Sequence, residues 1–322
     1  MADQLAIAEY TKAVQEQFNS GQAREHGYRP ALEHLMRSFD NVGATNDPRR
    51  LEFGNPDMIF YRANNHDLIL GYAEAKDITA DLDKTAKTEQ LHRYAGYNKL
   101  FLTNYLDFIF YRNGEEYERI SIGRLRGQTI DFNLAEYARL AHELHAFLES
   151  APEPIKNGKS LARIMGQKAR RLRDNVSRYM TEQSDGNQEL EKIFDMMKEL
   201  LVHDLSQEKF ADMYAQTLVY GLFTARYNDS TPEDFSRREA SELVPASNPF
   251  LREFFAHIGG IHFDKRLAHI VDELCAVFAV SNVQHLVEKH LRLFEVENEK
   301  DPIIHFYEDF LKEYDPSERK RM

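Results

Sequence analysis

Pro56-Asp57 stands before a β-prone run, Met58-Ile59-Phe60-Tyr61, and a second apolar run, Leu68 to Ala73, ends in Glu74-Ala75-Lys76. With Asn64-Asn65-His66-Asp67 as a turn cluster between them, the two runs read as a hairpin. Alternation along a strand sends Glu74 and Lys76 to one side and Ala75 to the other. In an antiparallel pair, Asp57 at the start of the first strand lies across from the end of the second. Two carboxylates so placed need a cation to stay ionised together, and hard oxygen donors with water form the natural shell of Mg²⁺. Such an ion polarises a phosphate and acidifies a bound water. A lysine beside it orients that water or offsets charge developing on phosphorus. The plainer reading of the same residues is a turn-closing Asp57 and a solvated Glu74–Lys76 pair.

The surrounding elements must position these groups. Residues 85–94 read as helical, with Gln90 and Tyr94 at i,i+4 on one face. Ahead of the hairpin, Glu25 precedes Pro30 at or before a helix start, and Glu33 lies inside that helix. Either could complete a metal shell, with a slight preference for Glu25. Leu100 to Tyr105 and Asp107 to Arg112 read as two further strands, followed by Asn113-Gly114 and a last strand near Ile120. The expected fold is an α/β core, a mixed sheet flanked by helices, over residues 1–150.

A strand ending in Glu-x-Lys and followed by a helix carrying Gln-x-x-x-Tyr resembles the RecB-like branch of the PD-(D/E)XK nucleases, whose core is restriction-endonuclease-like. The resemblance becomes more specific with residues 21–32 (Gly-Gln-Ala-x-Glu-His-x-Tyr-Arg-Pro-Ala-Leu), Gly54 to Asp57, Glu74 to Asp77, the helix from Leu82 to Tyr94, and Leu102 to Phe108. Together these are similar to the amino-terminal nuclease region of single-chain type IIG and IIL restriction-modification enzymes. Phe210 to Phe223 and Asp301 to Leu311 are similar to the helical connector that precedes the methyltransferase in such enzymes. The resemblance implies Mg²⁺-dependent cleavage of double-stranded DNA, with Mn²⁺ as a substitute. It also implies Asp57, Glu74 and Glu25 as metal ligands, Lys76 as the residue assisting water, and Gln90 and Tyr94 as positioning groups. Its expected partners are a fused or separate adenine methyltransferase and target-recognition domain, and dimerisation for cleavage.

The family's Tyr-Asp-Pro-x-x-Arg-Lys segment, here Tyr314 to Lys320, stands at the end of this sequence, and Asn248-Pro249-Phe250-Leu251 lacks the second proline and aromatic end of a methyltransferase tetrapeptide. A truncated form, a recombinant fragment and a subunit serving a separate methyltransferase all fit that pattern. The competing expectation is a catalytically dormant module that binds DNA or docks such a partner.

The net charge of -12 opposes casual binding to phosphate, so distribution matters more than the sum. From Lys156 to Arg178 the chain carries eight basic residues against the single acid Asp174. With apolar residues between them, this predicts an amphipathic helix whose basic face, including Lys168, Arg170, Arg171 and Arg173, could follow a DNA backbone. A face balanced by acids of neighbouring helices fits equally.

Two prolines in Ser150-Ala151-Pro152-Glu153-Pro154 mark the boundary to an all-α helical bundle over residues 151–322, a connector or spacer. Within it Tyr227 to Asn248 is expected to be a loop. Asn157-Gly158-Lys159-Ser160 imitates the end of a nucleotide-binding loop without its upstream glycine, and His142-Glu143-Leu144-His145 lacks a zinc-binding spacer. His262, Asp264 and His269 fit helix-end roles better than a metal site. The single cysteine, Cys275, excludes a disulfide framework within the chain, and with no apolar leader or long apolar span a cytoplasmic setting is expected.

Overall fold

The computed structural model describes residues 2–21, 25–46, 56–87, 96–182, 188–244, 248–292 and 301–315. The chain divides into two compact units, Met1–Ala151 and Pro152–Met322.

The first unit is built on a six-stranded mixed sheet. Its strands are β1 (Val42–Asn46), β2 (Met58–Arg62), β3 (Asn65–Ala75), β4 (Lys99–Thr103), β5 (Asp107–Arg112) and β6 (Glu115–Ser121), in that spatial order. β3 and β4 pair in parallel, with Glu74 beside Leu102, and the other neighbours are antiparallel. A parallel pair needs a crossover, which residues 76–98 supply. They include the short helix α3 (Leu82–Ala86), capped by Asp81 accepting from the amides of Asp83 and Lys84.

Helices α1 (Ala2–Asn19), α2 (Arg29–Arg37) and α4 (Tyr137–Glu149) cover one face of the sheet. Ile7, Tyr10 and Val14 of α1, Leu32 and Leu35 of α2, and Leu140, Leu144 and Phe147 of α4 close over Phe60, Phe101 and Phe110. Phe101 stacks on Phe60 at 5.6 Å and meets Phe147 edge-on at 5.4 Å, favoured geometries for buried rings. Gly71 is required here, because a Cβ on it would lie 2.6 Å from the Phe147 ring. The other face holds a smaller cluster of Tyr72, Leu82, Tyr97, Leu100, Leu102, Ile109 and Tyr111.

Asn113 and Gly114, with φ of 48° and 76°, form the β5–β6 turn; two residues in the left-handed region are what a tight hairpin asks for. The β2–β3 turn is shorter than its polar cluster predicts: β3 starts at Asn65, leaving Ala63-Asn64 between the strands. β1 and the small hairpin of β7 (Gly123–Arg126) and β8 (Thr129–Phe132) lie beyond the strands expected from sequence. At four or five residues each, these runs are too short for their alternation to announce a strand.

The second unit is helical among its described residues: α5 (Gly158–Thr181), α6 (Gln188–Leu200), α7 (Gln207–Tyr227), α8 (Arg237–Leu243), α9 (Pro249–Gly259), α10 (Lys265–Ala279), α11 (Val283–Arg292) and α12 (Pro302–Tyr314). Where a loop was expected over 227–248, Ser236 caps α8 through the Glu239 amide and Ala240 is fully buried. Besides the cap, Arg237 of this short, polar helix pairs with Asp272 and donates to Ile258 O, contacts that lie far apart in sequence. Among the described residues no single helix is long and apolar enough to cross a membrane.

Candidate active site at the carboxyl end of the parallel strands

Met58 pairs with Ala73, so the next position outward sets Asp57 against Glu74. Asp57 Oδ2 accepts from the Ala75 amide at 2.7 Å, which pins the side chain to the end of β3. Both carboxylates are buried, Asp57 at 0% and Glu74 at 1% exposure. The Lys76 amide donates to Thr103 O at 2.8 Å, so the backbone stays tied to β4 one residue past β3. Lys76 Nζ in turn donates to Glu74 Oε1, and the lysine side chain keeps partial contact with solvent. Buried carboxylates persist as anions only with such partners.

Arg29 supplies the other partner. Its Nη2 donates to Asp57 Oδ1 at 2.6 Å, and the residue is itself only 9% exposed. Sequence reasoning passed over it, although a signal existed. Arg29 heads the buried stripe Arg29, Leu32, Leu35 and Met36 of α2, and a charge on a buried stripe calls for a buried counter-charge. Pro30 fixes the start of this helix, as its position in the sequence predicts.

The turn after β4 packs against Tyr28, the residue before Arg29. Tyr105 adopts a φ of 73°, a conformation that costs a residue with a side chain roughly 1–3 kcal/mol. The surroundings hold it there: Asn104 Oδ1 accepts from the amides of Leu106 and Asp107, Tyr10 Oη donates to Tyr105 O at 2.8 Å, and the Tyr28 ring lies 5.0 Å from that of Tyr105. Tyr28 immediately precedes Arg29 in the chain, so the residue next to Arg29 packs on this turn. Burial, with Asp77 nearby, pushes the Tyr28 phenol above its ordinary range.

Glu25 opens the 3₁₀ turn Glu25–Tyr28 that leads into α2. Glu33 is engaged by Arg37 at 2.6 Å on the same helix. Gln90 and Tyr94 lie outside the described residues. Among the described residues no group of three or more His, Cys, Asp and Glu side chains gathers to hold a metal. Asp57 and Glu74 nevertheless suit a hard divalent cation in kind, as two oxygen-donor carboxylates facing each other at the ends of adjacent strands.

The basic run of α5 does not form one solvent-facing stripe. Lys168 is fully buried, donating to Glu273 of α10. Arg171 meets Glu273 at 3.2 Å and His269 at 2.9 Å. Arg173 pairs with Asp174 and lies over the Tyr314 ring, and Arg170 is half-buried. The helix sits among α7, α10 and α12, so helical period alone could not say which side faced water. Lys168 and Arg171 are thus internal counter-ions rather than a DNA-contact face. His269 is held neutral, down at about 3, by burial and by Arg171 beside it. Burial works against the Glu273 anion, but Lys168 and Arg171 outweigh it and hold the carboxyl at about 2. Asp264 caps α10 and pairs with Arg266, and Asn157 caps α5 through the Ser160 amide, so neither motif is a ligand site.

No protein-family model matches the chain, and no curated protein matches it. Among solved structures, it is similar to a cryo-electron-microscopy structure of a DrdV–DNA complex, at 18% identity and a TM-score of 0.36. That likeness covers 99% of this chain and 29% of the other.

Proposed function

We propose that the amino-terminal unit is an endodeoxyribonuclease, the cleaving part of a restriction system, hydrolysing phosphodiester bonds of double-stranded DNA with Mg²⁺, for which Mn²⁺ substitutes. The observation that carries this reading is the joint placement of Asp57, Glu74 and Lys76 at one strand end, with Asp57 fastened to the amide between the other two. Asp57 and Glu74 would hold the ion, with Glu25 as a further acidic ligand. When bound, it supplies Lewis-acid polarisation of the phosphate and a more acidic water. Lys76 orients the attacking water through Nζ and offsets charge growing on the phosphoryl oxygens. Gln90 and Tyr94 position the lysine or the DNA backbone. The helical unit serves as a spacer toward a methyltransferase and target-recognition partner.

The test is incubation of the purified chain with plasmid DNA and Mg²⁺ or Mn²⁺, beside Asp57→Asn and Lys76→Met variants and an EDTA control. Nicking or linearisation by wild type alone is the expected result. Cleavage that survives both substitutions would sink the assignment. A folded protein that binds DNA, or a methyltransferase partner, without cutting under any condition would favour the dormant module instead.

A further inference from the structure

Arg29 is a strongly buried cation beside the candidate site, in contact with Asp57, to which the proposed chemistry gives no task. Its guanidinium sits 2.6 Å from Asp57 Oδ1 while the Ala75 amide holds Oδ2, so both oxygens of this carboxylate are oriented by the chain itself. Glu74 is likewise matched by Lys76. Each acid therefore faces an internal cation that offsets its charge before any metal arrives. A second positive charge brought near Asp57 must work against a guanidinium that is held in place, since Arg29 is only 9% exposed.

Resting on the metal-site reading above, we infer that Arg29 is a positioning residue with a regulatory effect: it fixes the Asp57 carboxylate and holds down the site's affinity for divalent cations until an anionic phosphate enters. With the ion bound, the cluster is net positive, which suits a DNA phosphate. Metal and DNA then strengthen each other's binding, and the site loads fully only on its substrate.

The experiment is a titration of the full chain with Mn²⁺, without DNA, reading free Mn²⁺ by electron paramagnetic resonance. Wild type is compared with Arg29→Gln, Arg29→Met, Arg29→Lys and Asp57→Asn, each checked for fold by circular dichroism. Removing one unit of positive charge a few ångströms from the site predicts roughly tenfold or greater tightening in Arg29→Gln and Arg29→Met. Arg29→Lys keeps the charge and should stay near wild type, while Asp57→Asn should bind more weakly. Adding a short duplex that carries phosphorothioates should tighten Mn²⁺ binding more in wild type than in Arg29→Gln.

Unchanged or weaker Mn²⁺ binding by the folded neutral variants would overturn the inference and leave the metal site standing. Loss of fold in both neutral variants would also overturn it, assigning Arg29 to structure alone. Mn²⁺ binding that ignores Asp57→Asn, or no binding by any variant, would remove the metal-site reading and this one with it.

Discussion

Asp57 Oδ2 and the Ala75 amide are 2.7 Å apart, so the acid ahead of β2 is fastened to the backbone between Glu74 and Lys76. The relationship couples the proposed chemistry to the sheet, and Arg29 on the other oxygen couples it to α2. Asp57 is therefore a structural residue as well as a candidate ligand.

Asp57→Ala should cost roughly 3–5 kcal/mol of stability, because it strips a buried guanidinium of its carboxylate partner. Urea unfolding of the wild type and variant measures this. Glu74→Gln, which keeps the shape and an acceptor for Lys76, should abolish cleavage with a much smaller loss of stability. The second variant is thus the cleaner probe of the metal role, and a Glu74→Gln protein that still cuts plasmid would contradict it.

Lys76→Met should lower the cleavage rate roughly a hundredfold or more, the usual scale for a group that stabilises developing charge. Its loss also takes from the buried Glu74 carboxylate its lysine partner, so the thermal midpoint should fall as well. Single-turnover cleavage under saturating Mg²⁺ separates the two effects.

Acid should loosen the helical unit. His269 is held near 3 in the folded state, whereas its ordinary value is 6.5, so the unfolded chain binds the extra proton first. Stability is complete above pH 6.5 and falls as pH drops toward 3, by roughly 3 kcal/mol at pH 4. Glu273, held at about 2, adds to the loss in the same direction below about pH 4.5. His269→Gln retains an acceptor for Arg171 but cannot titrate. Its urea midpoint should change less between pH 7 and pH 5 than that of wild type.

Gly71→Ala should destabilise the amino-terminal unit by roughly 1–3 kcal/mol, since the new Cβ would overlap the Phe147 ring in a filled core. A thermal melt reads this directly. Pairing Gly71→Ala with Phe147→Leu should recover part of the loss, and no recovery would mean that the strain lies elsewhere.

Cys275 is buried in α10, and burial pushes its thiol well above the ordinary range. It should resist dithionitrobenzoate at pH 8 and react with one equivalent once denaturant opens the unit. Prompt reaction of the native protein would show that α10 opens readily.

Much of the local architecture was legible in the residues alone. The β2–β3 alternation that ends in Glu74-Ala75-Lys76, the Asn113-Gly114 turn, Pro30 at a helix start and the apolar periods of α6 and α10 each follow from short-range rules of backbone and burial. The facing of Asp57 and Glu74 also follows, because a hairpin converts order along the chain into register across it. What tertiary structure alone decided was which charges share a low-dielectric space. Arg29 reaches Asp57 across a separation of 28 residues, and Lys168 reaches Glu273 across 105. No local period encodes either meeting. The same rule explains the basic run of α5: its spacing specified a helix, but which of its sides met water depended on the helices packed around it, and these turned Lys168 and Arg171 inward to face a carboxylate.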